Sequence, residues 1–348
     1  MNTTTTTLKE QYEALKQEQP RLRIRNAAEV LGVSELELLE LSLEGTVTRL
    51  EGDWKELLKE IHKMEKVMAL TRNEHAVHER KGVYHNISFM KSHSMGVAVN
   101  EDIDLRFLMW DWRYAYAVEM EVRGRQLYSF QFFDSYGEAV HKIYTTPKSE
   151  VAAYHDLVEK YRAEDQTTKV FISNRIRPEK TSTPDSEVDV VTFQQEWRDL
   201  KDTHDFFGLV HKHKLQRTQA LRLAPKGYAY RLENDAVVKM FEAVAASDMP
   251  MMIFVSSKGC IQIHTGQINK IVPMQGWFNI MDPDFNLHLK LAGISETWVT
   301  KKPTVDGTVT GVEVYDANGN MIVQCFGKRK PGKPELEEWR EIVAGLSK

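Results

Sequence analysis

The sequence predicts an α+β protein made by tandem structural duplication, each half a large antiparallel β-sheet, laid out as a meander, with helices packed on it. Three observations predict this. The order helix, helix, meander, helix runs twice along the 348 residues. Short matches hold one register: Asp53 of DWKELLKEI pairs with Asp235 of DAVVKMFEAV (235 minus 53 is 182), and Arg106 of DIDLRF pairs with His288 of DFNLHL (288 minus 106 is again 182). The length also exceeds what one hydrophobic core of ~150 residues fills. Residues 1–175 are therefore expected as the first repeat, 176–190 as a linker and 191–348 as the second repeat.

Taken in order, residues 8–19 read as a polar helix that Pro20 closes. Residues 24–41, IRNAAEVLGVSELELLEL, place small residues, a Gly32 turn and a Ser34 N-cap as a helix-turn-helix does. A DNA-binding regulator with a ligand-sensing second half is thus the alternative functional reading. Its second helix, however, carries Glu35, Glu37, Glu40 and Glu44, which repel phosphate, so nucleic acid is not an expected partner. Residues 53–66 space Trp54, Leu57, Leu58, Ile61 and Met64 as an amphipathic helix. From Val67 the runs VMALTR, AVHERKG, HNISFMK, GVAVN, DLRFLMW, YAVEMEV and QLYSFQFF are short and β-rich, a meander. Pro147 is expected to open a helix over SEVAAYHDLVEKY.

The polar stretch 174–190, with Pro178 and Pro184, reads as the linker. Beyond it, 235–246 is an amphipathic helix and MMIFV a strand. The runs QIHTG, GWFNIM, FNLHLKL, ETWVTKK, GVEVYD and MIVQCFG form the second meander, and a helix follows Pro334. An insertion around KKPTVDGTVT is needed to match MEVRGRQLYSFQFF with VEVYDANGNMIVQCFG.

Composition narrows the function. Hydrophobic residues at 42% suffice for sizeable cores, while 46 Lys+Arg against 50 Asp+Glu leave a net charge of -4 and no global basic field for nucleic acid or an anionic membrane. No apolar run reaches the ~20 residues of a membrane span, and the N-terminus lacks the basic and apolar regions of a signal peptide, so a cytoplasmic location without membrane insertion is expected. Cys260 and Cys325 are far apart in apolar surroundings and read as reduced buried thiols. No Walker A, GxSxG, HExxH or GxGxxG motif occurs.

The segment 193–210, FQQEWRDLKDTHDFFGLV, carries the chemistry. Phe193, Trp197, Leu200, His204 and Phe207 fall at i, i+4, i+7, i+11 and i+14, the stripe of one amphipathic helix with a single polar member. An imidazole there is either a hydrogen-bonded core histidine or a ligand for a metal or metal-bearing cofactor, and the pattern leaves both open. His211 and His213, at i and i+2, do not share a helical face. His75, His78 and His85 lack ligand spacing and read as loop or strand-edge residues, and the methionines of DMPMMIF as core.

The segments IDLRF, LKDTHDFFGLV, FNLHL, WVTKKPTVDG and FGKRKPG together resemble the HemS/ChuS/PhuS family of cytoplasmic haem-utilisation proteins, over nearly the whole chain. The resemblance implies haem bound mainly by the second half, with His204 as the axial ligand of the iron and Arg106 on the opposite face. It also implies propionates met at the sheet edge by Lys302 and Arg329. Phe207, with Phe206, supplies the apolar wall a porphyrin needs. Asp202, Thr203 or Asp205 would bond the other ring nitrogen of His204, and spacing does not choose among them. Arg106, which keeps its proton, donates hydrogen bonds rather than ligating iron. Lys301, Lys302, Lys328, Arg329, Lys330 and Lys333 form a local basic supply for two carboxylates. The implied function is to accept haem from an inner-membrane importer and either pass it to a downstream acceptor or oxygenase, or open the macrocycle with an external reductant. Carrier and haem-degrading enzyme both remain open.

Overall fold

The computed structural model describes residues 6–91, 94–173, 181–329 and 332–346. The chain divides into two compact units, one from the stretches 1–71, 81–176 and 257–260, the other from 72–80, 177–256 and 261–348. The expected linker falls partly on residues 174–180, outside the described residues, as does Lys330.

The elements of the first half are α1 (Leu8–Glu18), α2 (Ile24–Leu31), α3 (Glu35–Glu40), β1 (Val47–Leu50), α4 (Trp54–Glu60), β2 (Glu65–Arg72), β3 (Ala76–Gly82), β4 (Ile87–Phe89), β5 (Met95–Val99), β6 (Asp104–Leu108), β7 (Tyr114–Val122), β8 (Arg125–Phe133), β9 (Ala139–Ser149) and α5 (Val151–Tyr161). Local chemistry explains their ends. Thr7 and Ser34 cap α1 and α3 in capping boxes with Glu10 and Glu37, and Gly32 closes α2 in the left-handed region at φ 67°. The helix expected over 53–66 is α4 plus a 3₁₀ turn, Ile61–Met64, because Glu65 at φ 55° turns the chain into β2. Pro147 lies inside β9 rather than opening α5. It sits at the irregularity where β9 pairs with β2, the one place in a strand where a missing N–H costs nothing.

The helix-turn-helix forms, but its acids serve structure. Glu35 is buried and receives the ammonium of Lys142, Glu37 is spent on the Ser34 cap, and Glu40 receives Arg49 at 2.6 Å and the hydroxyl of Tyr116 at 2.7 Å. Helix α3 ends at Glu40, so Glu44 is not on it.

The second half comprises α6 (Val190–Arg198), α7 (Asp205–Lys212), α8 (Arg217–Arg222), β10 (Ala229–Leu232), α9 (Ala236–Ser247), β11 (Met251–Ser256), β12 (Cys260–Gly266), β13 (Trp277–Met281), β14 (Phe285–Lys290), β15 (Glu296–Thr304), β16 (Gly307–Tyr315), β17 (Met321–Gly327) and α10 (Glu337–Gly345). Within each unit the neighbouring strands run antiparallel. The first unit orders its strands β1-β7-β8-β9-β2 and β6-β5-β4; the second orders them β10-β15-β16-β17-β11-β12 and β3-β14-β13. Each unit has its own apolar core. One is built on Leu57, Leu58, Val67, Phe130, Phe132 and Ile143, the other on Val237, Phe241, Ile253, Phe278, Leu287 and Trp339. Each such side chain contributes about 1.5–3 kcal/mol.

The duplication is regular, more so than the sequence matches suggest. Strands β1 and β10 start 182 positions apart (229 minus 47), as do β7 and β15 (296 minus 114), β8 and β16 (307 minus 125), and β9 and β17 (321 minus 139). No insertion exists at KKPTVDGTVT: that segment spans the β15–β16 hairpin and corresponds to the β7–β8 hairpin. Arg106 and His288 sit at equivalent half-buried positions of β6 and β14, between buried leucine and aromatic or leucine neighbours. His78 is no edge residue; it is fully buried in β3, 5.0 Å from the ring of Phe285. Both cysteines are free and buried, and burial pushes the Cys260 thiol up to about 12.

Candidate functional site

The stripe expected over 193–210 is broken. Asp189 caps α6, the helix stops at Arg198, and α7 starts only at Asp205. Phe193, Trp197 and Leu200 are buried as expected, but after the break the buried positions become Phe206 and Leu209. His204, at the N-cap of α7, therefore points outward with its side chain 92% exposed, and Phe207 is 74% exposed, whereas Phe206 is 1% exposed. The physical reason lies in Asp202. Its Oδ1 accepts the backbone N–H of His204 at 2.8 Å, turning the chain just ahead of α7, whose register does not continue the 3.6-residue period of α6.

The break is held from below. The indole N–H of Trp197 donates to the carbonyl of Lys301 at 3.0 Å, and the backbone N–H of Val305, in the β15–β16 turn, donates to the carbonyl of Lys201 at 3.0 Å. Trp197 meets the edge of Phe206 at 4.5 Å between centroids, and Phe206 carries the cations of Lys302 and Arg217 at 4.8 and 5.0 Å from its ring.

Those cations converge on Glu313, which is fully buried. Arg217 grips it with Nε at 2.9 Å and a terminal nitrogen at 2.7 Å, Lys302 and Gln324 reach it at 2.7 Å each, Thr300 at 3.1 Å, and the Tyr315 hydroxyl also donates to it. Burial opposes the charge on Glu313, but Arg217 and Lys302 outweigh it and hold the carboxyl well below its usual range. Burial brings Lys302 down to about 8 against the support of Glu313. Two cations on one carboxylate leave a surplus of one positive charge beneath α7. Lys302, 2% exposed, is thus not free at the sheet edge as expected: its ammonium faces inward onto Glu313.

Arg329 is the basic residue whose charge reaches Asp202. It lies 3.8 Å from Asp306 in the β15–β16 turn and also adds to the charge that keeps the Asp202 carboxyl low, after the backbone and ring of His204. Asp202 Oδ1 receives His204 Nδ1 at 2.6 Å, so of the three flanking candidates it is Asp202 that holds the ring. The exposed face of α7 continues through Phe207 and Gly208 to His211, and a side chain at Gly208 would meet nothing within 4 Å. His213 is committed elsewhere, donating to Glu196 at 2.9 Å beside Lys212.

Within the second unit the structure therefore brings His204, Phe207 and Arg329 to one end of α7, with Lys302 beneath. Arg106 belongs to the first unit. There it is half-buried on β6, donates to the Asp104 carboxylate and to the Leu105 carbonyl at 3.1 Å, and burial raises the Asp104 carboxyl against the pull of Arg106. The residues that sequence reasoning missed are Arg217, Glu313 and Tyr315; a 96-residue separation between Arg217 and Glu313 gives no local signal.

Comparison with known proteins finds relatives of the whole chain. The model of the "Haemin-degrading HemS.ChuX domain" matches residues 32–161 and 214–346. The hemin transport protein HemS of Yersinia enterocolitica is 35% identical over 340 residues, 97% of this chain and 96% of that protein. HmuS of Yersinia pestis, also a hemin transport protein, is 34% identical over 342 residues, 97% of each chain. Among solved structures, holo-PhuS, a heme-binding protein from Pseudomonas aeruginosa, superposes with a TM-score of 0.93 at 43% identity, covering 96% of both chains. The Escherichia coli O157:H7 heme degrading enzyme ChuS superposes at 0.89 with 32% identity, covering 97% of each. With both halves matched by the family model and relatives above 30% identity spanning almost its full length, the chain belongs to the HemS/ChuS/PhuS family.

Proposed function

We propose that this chain is a cytoplasmic haem-binding protein of haem uptake, which carries haem and opens it to release iron when an external reductant is present. One observation carries the reading: an outward-facing imidazole whose Nδ1 is occupied by a carboxylate, beside an exposed phenylalanine and a bare glycine on the same helical face. The donor set fits haem. A neutral imidazole nitrogen is a haem-iron ligand, Phe207 and Gly208 offer a flat apolar face, and Arg329 with the surplus charge of the Lys302–Arg217–Glu313 cluster suits two carboxylates.

In this reading haem is cargo and substrate, and its iron supplies the oxygen chemistry when it is degraded. His204 binds and orients the iron, Phe207 excludes water from the macrocycle face, and Arg329 meets a propionate, while Lys302, buried on Glu313, contributes only its charge beneath α7. Arg106, which keeps its proton, serves as a hydrogen-bond donor in the degradation step. An inner-membrane importer upstream and an acceptor or oxygenase downstream are the partners this reading requires. Transport and degradation are both represented among the relatives, which supports keeping the two roles together.

Titration of the purified protein with hemin tests the binding: a sharp Soret band saturating at one equivalent is expected, and unsaturable uptake of the albumin type would contradict it. For degradation, reductant and air with catalase present should give a defined tetrapyrrole and free iron, and Arg106→Ala should slow this without weakening hemin binding. Intact haem throughout reduces the function to carriage.

A further inference from the structure

We infer that Asp202 is the positioning residue that selects which nitrogen His204 presents to haem iron and sets the strength of that ligand. The inference rests on the haem-binding reading above and deepens it.

One oxygen of Asp202 does two jobs. Oδ1 accepts the backbone N–H of His204 at 2.8 Å and the ring Nδ1 at 2.6 Å. An ionised carboxylate can only accept, so Nδ1 carries the proton and Nε2 is left as the nitrogen with a lone pair for a metal. The backbone bond fixes where the carboxylate sits, in the turn that immediately precedes α7. The loop is pinned in turn by Val305 to the Lys201 carbonyl, so the Asp202–His204 pair is in place without a ligand. Neither of the other flanking candidates does this: the Thr203 hydroxyl donates to Asp202 Oδ1 at 3.5 Å, and Asp205 is the first residue of α7, its backbone N–H donating to the Asp202 carbonyl at 3.2 Å.

In the free protein the pair is open to water, with side chains 92% and 58% exposed, and contributes little to stability. A macrocycle lying on the imidazole displaces that water, and the charge-assisted bond then strengthens in the lower dielectric. A carboxylate on the far nitrogen makes the imidazole more basic, tightens the bond to iron and favours the ferric over the ferrous state. Arg329, whose charge reaches Asp202, moderates that push.

The test uses the full chain and three variants, two at Asp202 and His204→Ala. Asp202→Asn keeps an oxygen acceptor for both N–H groups but removes the charge; Asp202→Ala removes the acceptor. In the protein without haem, nitrogen-15 NMR of the histidines should show His204 protonated at Nδ1, unchanged in Asp202→Asn and shifted towards the Nε2-protonated tautomer in Asp202→Ala. With haem, Asp202→Asn should raise the midpoint potential and lower the ferrous iron–histidine stretching frequency while keeping the Soret band. Asp202→Ala should lose about 10–100-fold in hemin affinity. Unchanged tautomer, potential and affinity in Asp202→Ala overturn the inference while leaving the ligand assignment intact. An unchanged hemin complex in His204→Ala removes the ligand assignment itself, and the inference with it.

Discussion

Glu313→Gln probes what holds α7 in place. The carboxylate has no exposed side-chain surface and neutralises Arg217 and Lys302 through contacts of 2.7–2.9 Å, so the substitution keeps the shape and strands two cations. Removing one partner of a buried ion pair costs about 3–5 kcal/mol. Here the lower end applies. Lys302 already sits down at about 8, and without Glu313 it sheds its proton at neutral pH, while Arg217 is 25% exposed and reaches water. A loss of about 3 kcal/mol lowers the melting temperature by roughly 6–12 °C at 2–4 °C per kcal/mol. Differential scanning calorimetry at pH 7 measures it. The double variant Lys302→Met/Glu313→Gln removes the buried amine that Glu313→Gln leaves without its carboxylate and should recover about 1–2 kcal/mol, a coupling of the size contacting residues show. A melting temperature within 2 °C of the parent, roughly under 1 kcal/mol, or strictly additive variants, would refute the claim that this cluster supports the site.

Phe206→Ala should cost about 3–5 kcal/mol because the ring is buried under two cations, whereas Phe207→Ala should leave stability within about 0.5 kcal/mol yet weaken hemin binding; equal effects of the two in chemical denaturation would contradict the register of α7. Gly208→Ile places a branched side chain in open space one turn from His204, so the protein should fold as well as its parent while its hemin titration shows a markedly lower affinity. Burial drives His141 from its usual 6.5 down to about 3, so the unfolded chain takes up the proton first. The stability this histidine contributes is complete above pH 6.5 and is lost as pH falls towards 3; His141→Gln should flatten the decline between about pH 6.5 and 4.5 by up to about 1.4 kcal/mol per pH unit, measured by urea unfolding.

Much of the fold was legible because period and caps agree. Helices α1, α4, α9 and α10 and most of the strands follow from apolar spacing, and the α+β duplication follows from Asp53/Asp235 and Arg106/His288. Three strands escaped. β1 and β10 have four residues each, too few to show alternation, and β9 hides its strand character behind buried His141 and Lys142. The late register of the duplication was misread because β7–β8 and β16–β17 share a similar apolar pattern, whereas the constant offset of 182 appears only when whole hairpins are compared. At the site, the histidine was legible but its direction was not. Leu200 fits the stripe whether or not the helix continues, and the turn ahead of α7, in which Asp202 Oδ1 accepts the backbone N–H of His204, separates the two helices. The inward expectation for His204 and Phe207 was therefore wrong, and the outward one serves a ligand better, since an imidazole packed in a core has no room for a porphyrin. Arg217, Glu313 and Tyr315 meet only through tertiary pairing of α8 with β16, which no local pattern announces.

The most direct measurement of the central claim is the absorption spectrum of the purified chain with one equivalent of hemin, recorded for the parent and for His204→Ala before and after addition of reductant. An axial imidazole from His204 predicts a sharp Soret band in the parent, and in His204→Ala a shifted, broadened band with weakened binding and an altered ferrous spectrum. A Soret band of the same position and width in both proteins would contradict it.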